Sequence, residues 1–398
     1  MKPLKILYAS GPVDAASVYN YWRNGEVDPN HCTLPFVYQF FDLCRSLNAQ
    51  FYVLSRCQRP GVIQDGNGKI KHSPVPFETS SPLLYYGGQL WAGLHLIWEA
   101  IAYRPDVLVI QGGRVFPFFL SPIAWLGIKV VPSYHCVLWA KYRPQSQAMK
   151  LIWALNRRLF TKDATAILST SPDITAQIHE LTQGKPRPIT QFLSIYQPDQ
   201  FNDFAPPQHD QSCFKILYVG RMRENKGIFD LLTIAQRFRA EDYTTIQIDL
   251  CGTGPDLEPL QAAAAAAGLS DRFVCHGHCS RPVLLEKYEQ AQVVIVPTTT
   301  RFVEGFNQVV LEGVLSGRPV ITSAVCPAIH YVREAVMEVP PDDVQAYGDA
   351  ILKLYHDPEL YHEKHRTCLE IRDRFFDLSQ GWGAKFHSIL QAQGLTPS

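Results

Sequence analysis

Two carboxylates, Glu304 and Glu312, stand eight positions apart just downstream of the apolar run Val293-Val294-Ile295-Val296. An ionised carboxylate only accepts hydrogen bonds, so such a pair suits a ligand rich in hydroxyls. Val309, Val310, Gly313, Val314 and Gly317 recur at helical spacing, which predicts a helix that begins near Asn307 as N-cap and ends at Gly317. Glu304 then lies in the loop before the helix and Glu312 within it, with unsatisfied backbone N–H groups at Phe306 and Asn307 between them. Such a set can hold sugar hydroxyls at two points along a nucleotide sugar.

A second group is cationic. Gly220-Arg221-Met222-Arg223-Glu224-Asn225-Lys226-Gly227 follows the strand-like run Lys215–Val219 and precedes a helical pattern. A diphosphate there meets a guanidinium, an ammonium and a helix N-terminus, all of which favour negative charge. Two basic residues in a turn are ordinarily solvated surface, and it is the carboxylate pair downstream that gives them weight.

The elements that must position these groups read as alternating strands and helices. Lys5-Ile6-Leu7-Tyr8-Ala9-Ser10-Gly11 is echoed by Lys215-Ile216-Leu217-Tyr218-Val219-Gly220, each an apolar strand running into a glycine turn. Further strand-like runs at 51–54, 107–110, 129–132, 166–169, 246–250, 293–296 and 319–322 alternate with helical patterns, which argues for parallel sheets covered on both faces. The polar, proline-rich segment 197–211 predicts a linker with a boundary near residue 210, giving units 1–210 and 211–379. The apolar stretch 115–131, interrupted by Pro117, Pro122 and Lys129, predicts a buried helix followed by a strand rather than a bilayer crossing.

Composition narrows the classes. With 398 residues, 46% hydrophobic and only 19% charged, the chain is folded and multidomain. Thirty-seven basic residues balance thirty-seven acidic ones, so no global field draws in nucleic acid. The short apolar run at residues 4–9 is too brief for a signal-peptide core, and ten cysteines without framework spacing suit reduced thiols, so a cytoplasmic location is expected.

The second half resembles the retaining glycosyltransferase family 4, of GT-B fold, over about residues 213–377. The marks are Val219-Gly220-Arg221 to Lys226-Gly227, Leu250-Cys251-Gly252-Thr253-Gly254-Pro255, Gly277, Pro297, Glu304-Gly305-Phe306 to Glu312, Gly317-Arg318-Pro319-Val320-Ile321 and Pro340-Pro341-Asp342-Asp343. In the first half the resemblance rests on Val130-Val131-Pro132-Ser133-Tyr134-His135. It implies an α/β chain of two Rossmann-like domains facing each other across a cleft, the first for acceptor and the second for donor, with a helix at about 380–398 packing back on the first. It implies that Arg221 and Lys226 bind the donor diphosphate, that Glu304 with the Phe306 and Asn307 amides grips the donor sugar, and that Glu312 holds ribose hydroxyls. It places His135 near the reacting centre, Gly11 close to the phosphates, and Gly252 and His278 near the base. Because two cations face the phosphates and no Asp-x-Asp motif occurs, no cofactor or metal is expected. Two loops depart from the family pattern: Ser323–His330 lacks a glycine pair, and Ser10-Gly11-Pro12-Val13-Asp14 lacks the usual double glycine.

Rival readings are weaker. Cys275-His276-Gly277-His278-Cys279 invites a metal, but successive strand residues point to opposite faces and no second cluster follows. Gly252-Thr253-Gly254 lacks the third glycine of a dinucleotide fingerprint, since Leu257 stands there. The expected partners are a nucleotide-sugar donor and a saccharide or lipid-linked acceptor, in surface polysaccharide, lipopolysaccharide or glycolipid assembly. Alternatives are an epimerase or hydrolase on the same donor, or a non-catalytic sugar-nucleotide-binding subunit. From Lys150 to Lys162 basic residues alternate with Leu151, Trp153, Leu155 and Phe160, a basic amphipathic pattern compatible with peripheral contact to an anionic membrane at its inner face.

Overall fold

The computed structural model describes residues 3–29, 31–76, 81–112, 117–202 and 204–396. The chain divides into two compact units: Met1–Leu138 with Gln145–Tyr196 and Asp377–Ser398, and Trp139–Pro144 with Gln197–Phe376.

The first unit is built on β1 (Lys5–Ala9), β2 (Gln50–Ser55), β3 (Val62–Asp65), β4 (Gly68–His72), β5 (Val107–Gln111), β6 (Lys129–Tyr134), β7 (Ile167–Ser169) and β8 (Ile189–Gln191). They lie in the order β3-β4-β2-β1-β5-β6-β7-β8, parallel except for the β3–β4 hairpin. Strand alternation sorts the core into two layers, with Ile6 and Tyr8 on one face and Leu7 and Ala9 on the other.

The second unit carries β9 (Phe214–Val219), β10 (Ile246–Cys251), β11 (Phe273–Gly277), β12 (Val293–Val296), β13 (Val320–Ser323) and β14 (Val336–Val339). All are parallel, in the order β11-β10-β9-β12-β13-β14. In each sheet the chain runs outward one way from the first strand and then returns to run outward the other way. The reversal falls between β1 and β5 in the first unit and between β9 and β12 in the second, where loops at the strand ends separate and leave a crevice.

Two sequence expectations need correction. The units part at Tyr196/Gln197, not near residue 210, because the proline-rich segment packs onto the second unit. Gln292 donates to the Gln208 carbonyl at 3.2 Å, His209 bonds the Leu354 carbonyl at 2.9 Å and Gln211 donates to the Tyr355 carbonyl at 2.7 Å. The stretch 115–131, part of which lies outside the described residues, does hold the helix Leu120–Trp125 and then β6, but the helix is not wholly buried: Trp125 and Leu126 face solvent.

The helix Trp382–Ala392 packs on the first unit. Trp382 is wholly buried, its ring stacks on Tyr8 with centroids 5.3 Å apart, and its Nε1 donates to Ser133 Oγ at 3.0 Å. Phe386, Ile389 and Leu390 extend the same core. Trp382→Ala therefore removes a large buried ring and should cost the first unit about 3–5 kcal/mol. Urea unfolding followed by amide exchange in β1 checks this, and Trp382→Phe should lose distinctly less.

Candidate active site at the sheet reversal of the second unit

Three loops meet at the ends of β9, β10 and β12. Gly252 has φ +146°, and a Cβ there would lie 1.8 Å from the Gly220 carbonyl oxygen; a Cβ on Gly227, φ +78°, would lie 2.1 Å from that of Pro297. Only glycine lets these backbones touch. Hydrogen bonds lace them together: Gly220 N–H to the Cys251 carbonyl, Met222 N–H to Thr253 and Thr299 N–H to Asn225. The loop bearing Arg221 and Lys226 is thus held between the other two.

That packing brings Lys226 and Glu304 together. Lys226 Nζ donates to Glu304 Oε2 at 2.5 Å and rests 3.7 Å from the centroid of the Phe302 ring. The same oxygen accepts from Thr298 Oγ1 at 3.2 Å and Asn307 Nδ2 at 2.9 Å, while Oε1 accepts from the Gly305 amide. Glu304 is buried, so its charge is matched by one cation and a full set of donors. Asn307 sits in the left-handed region, φ 62°, directly before the helix Gln308–Leu315, and makes no side-chain cap. The N-cap expectation fails at the side chain because Asn307 turns to Glu304 and, at 3.4 Å, to Cys326 Sγ. Burial pushes the Cys326 thiol up to about 12, so it stays protonated.

Glu312 lies deeper than Glu304 in the chain's next helix. It is buried within its helix, and Arg281 Nη1 donates to its Oε2 at 2.9 Å. Arg281, at the start of the helix Arg281–Gln290, also donates through Nε to Gln200 Oε1 at 3.0 Å. Sequence reasoning missed Arg281, whose one signal is Ser280-Arg281-Pro282 opening a helix. Arg221 is exposed and forms no ion pair among the described residues. His278 is exposed, whereas its neighbour His276 bonds Asp249 at 2.6 Å, a pairing that uses His276 in the Cys275–Cys279 segment without a metal. Six of the ten cysteines are buried.

The first unit holds Gly11 and His135. The Gly11 amide donates to Gln111 Oε1 at 3.0 Å across the β1/β5 reversal, so it is not open to a phosphate in this structure. Nearby, Asp14, Cys57 and His72 bring ligand atoms within 4.8 Å of one another, but two of these are engaged: Asp14 caps the helix Ala15–Arg23 through Ser17 N–H, and His72 bonds the Arg59 carbonyl through Nδ1 and the Ala16 amide through Nε2.

His135 follows β6. Trp382 Nε1–H can only donate, so Ser133 Oγ accepts from it, and the same oxygen lies 3.0 Å from His135 Nε2, which gives the Ser133 hydrogen an acceptor when the ring carries its proton on Nδ1. This arrangement favours the Nδ1–H tautomer, and Nδ1 is buried without a hydrogen-bond partner. Burial holds the imidazole down to about 3, so it is a neutral donor at physiological pH.

Two family models cover most of the chain: a glycosyl transferase 4-like domain matches residues 37–192, and glycosyl transferases group 1 matches residues 199–367. The fold is that of the GT-B class. The chain belongs to the group 1 glycosyl transferases and is a glycosyltransferase. It is 25% identical over 340 residues to the 2-deoxystreptamine N-acetyl-D-glucosaminyltransferase of Streptomyces fradiae, covering 79% of this chain and 77% of that one. Anabaena HepE in complex with UDP superposes with a TM-score of 0.67 at 13% identity over 98% of this chain and 100% of the other. WaaG, a glycosyltransferase involved in lipopolysaccharide biosynthesis, does so with 0.64 at 12% identity over 98% and 100%.

Two predictions follow from the geometry. Arg281→Ala removes a cation from the buried Glu312 carboxylate and should cost up to about 3–5 kcal/mol, most of which the double variant Arg281→Met/Glu312→Leu should restore; urea midpoints decide it. His135 should not titrate between about pH 5 and pH 8 in a nitrogen-15 NMR series, and its Nε2 should report an unprotonated ring nitrogen. Its folded value lies below the ordinary 6.5, so its contribution to stability is full above about pH 6.5 and declines as the pH falls toward 3, since the unfolded chain takes the proton first.

Proposed function

We propose that the enzyme moves a sugar from a nucleoside-diphosphate sugar to an acceptor hydroxyl with retention of configuration, in the assembly of a surface polysaccharide, lipopolysaccharide or glycolipid. The observation that carries this is the Lys226–Glu304 pair at the β9/β12 reversal, beside the Phe306 and Asn307 backbone and the exposed Arg221. UDP in HepE and the lipopolysaccharide role of WaaG support the reading.

In this reading Arg221 and Lys226 face the donor diphosphate, and Glu304 with the two amides grips the sugar. Glu312, held by Arg281, takes the ribose hydroxyls, while Gly252 and His278 border the base and Gly11 the phosphates once Gln111 releases it. The bond between the anomeric carbon and the diphosphate breaks with its electron pair going to the phosphate oxygen. The acceptor oxygen bonds the same face of that carbon, and its proton passes to the departing phosphate. Fixed cations stabilise that growing charge, so no divalent metal is required. The neutral Nδ1–H of His135 offers a hydrogen bond to the donor sugar. The reaction takes place on the cytoplasmic side, with a saccharide or lipid-linked acceptor.

The test is a screen of UDP-, GDP- and ADP-sugars, with and without EDTA, read by thermal shift and nucleoside-diphosphate release. One donor should stabilise the protein, and Lys226→Ala should weaken that donor by at least about tenfold. Release should survive EDTA. Stabilisation without turnover under any acceptor would leave a binding subunit, and free sugar or an isomer without acceptor would mean hydrolysis or epimerisation.

A further inference from the structure

The helix Pro82–Tyr103 of the first unit spans 22 residues, about 33 Å at 1.5 Å per residue. Its inner side is ordinary, with Ala92, Leu96 and Ala100 buried in the core. Its outer side is not. Tyr86, Leu90, Leu94, Trp98 and Ile101 all face solvent, Trp98 at 68% and Leu94 at 54% exposure. Their spacing of four, four, four and three puts them on one arc of about 120° at 100° per residue. The only Asp, Glu, Lys or Arg in the helix is Glu99, which is buried and paired with Lys71 at 2.8 Å. A solvent-facing stripe four turns long without a charge is not the surface of a helix meant for water.

The stripe continues onto neighbouring elements. The helix Leu120–Trp125 packs against the long helix and ends in the exposed Trp125 and Leu126. Beside Trp125 lies Arg158, its guanidinium 5.4 Å from the ring, at the end of the helix Gln147–Arg158. That helix exposes Leu151 and Leu155 and buries only Asn156. The cations edging this surface are Arg104, at the C-terminus of the long helix, with Lys150, Arg158 and Lys162, all exposed. Asp163, the acid nearest Arg158, is already bonded to it at 3.0 Å.

We infer that this surface seats the first unit on an anionic bilayer, with the long helix lying in the interface and its Leu90–Trp98 stripe entering the acyl boundary. The apolar centre with aromatic side chains and a basic edge is the pattern that interfacial helices use. A second copy of the chain meeting the same face about a two-fold axis would set basic edge against basic edge, which charge disfavours. No helix of the described residues is long and apolar enough to cross a membrane, so the contact is lateral. It differs from docking by charge alone in one respect: the stripe must hold the protein in salt that screens the basic edge. The inference deepens the reading of a lipid-linked acceptor, and its test is kept separate from it.

The full-length protein is sedimented with vesicles of three parts phosphatidylcholine to one part phosphatidylglycerol, and with phosphatidylcholine alone, at low and high salt. The expected result is pelleting with the anionic vesicles, weakened but retained in high salt, with a blue shift of tryptophan emission. Leu94→Asp/Trp98→Asp should lower the partition coefficient by at least about tenfold, and Leu151→Asp/Leu155→Asp by less. These positions are exposed, so circular dichroism and the melting temperature should match the parent protein. Donor-induced thermal shift should be the same in all variants, so a failure of the transferase reading shows as a missing donor shift and leaves the vesicle result intact. Failure to pellet overturns the inference. So does binding that high salt abolishes and the Leu94/Trp98 variant leaves unchanged, or a solution dimer that the same variant dissociates.

Discussion

The site of the second unit depends on an ion pair formed across a reversal in strand order. β9 and β12 are neighbours in the sheet but 73 residues apart in the chain, from Val219 to Val293 counted exclusively, and the loops leaving them have no covalent reason to meet. Lys226 and Glu304 join them at 2.5 Å. A buried carboxylate without its cation is strongly unfavourable, so either residue alone would push the loops apart. On the proposed function, this is the pair with which a polyanionic sugar donor would exchange partners. Thr298, Asn307 and the Gly305 amide keep Glu304 oriented while that exchange occurs.

Glycine sets the distance at which this can happen. With side chains at Gly227 and Gly252 the backbones of Pro297 and Gly220 could not approach, and the cationic loop would stand off from the carboxylate. The departure at Ser323–His330 fits the same frame, since it supplies Cys326, a protonated thiol that touches Asn307 and packs the floor under Glu304.

Much of this was legible in the sequence, for identifiable reasons. Strands buried on both faces write themselves as apolar runs, so β1, β2, β5, β6, β7, β9, β10, β12 and β13 stood out, and the echo between β1 and β9 announced two units. The short strands β8 and β14 did not stand out. The hairpin β3–β4 had a turn signal, Asp65-Gly66-Asn67-Gly68, that was passed over because its strands carry polar residues at an edge. The pairing of Lys226 with Glu304 could not be read from spacing, because strand order is a property of the sheet. Arg281 was invisible for the same reason: its target lies 31 residues away on another helix. Trp382 was placed in the correct helix, but its control of the His135 tautomer through Ser133 is a three-body geometry that no linear pattern encodes.

The return of the chain to the first unit after Phe376 has a consequence for biosynthesis. The helix Trp382–Ala392 supplies Trp382, Phe386, Ile389 and Leu390 to the core of the first unit, yet it leaves the ribosome after the whole of the second. The second unit is continuous through Gln197–Phe376 apart from the short segment Trp139–Pro144, and can close its sheet while the first still lacks one wall of its core. The half that is translated first is therefore completed last. During that interval Tyr8 and Phe40 lack the ring that covers them, which makes the nascent first unit the client that a chaperone has to shield.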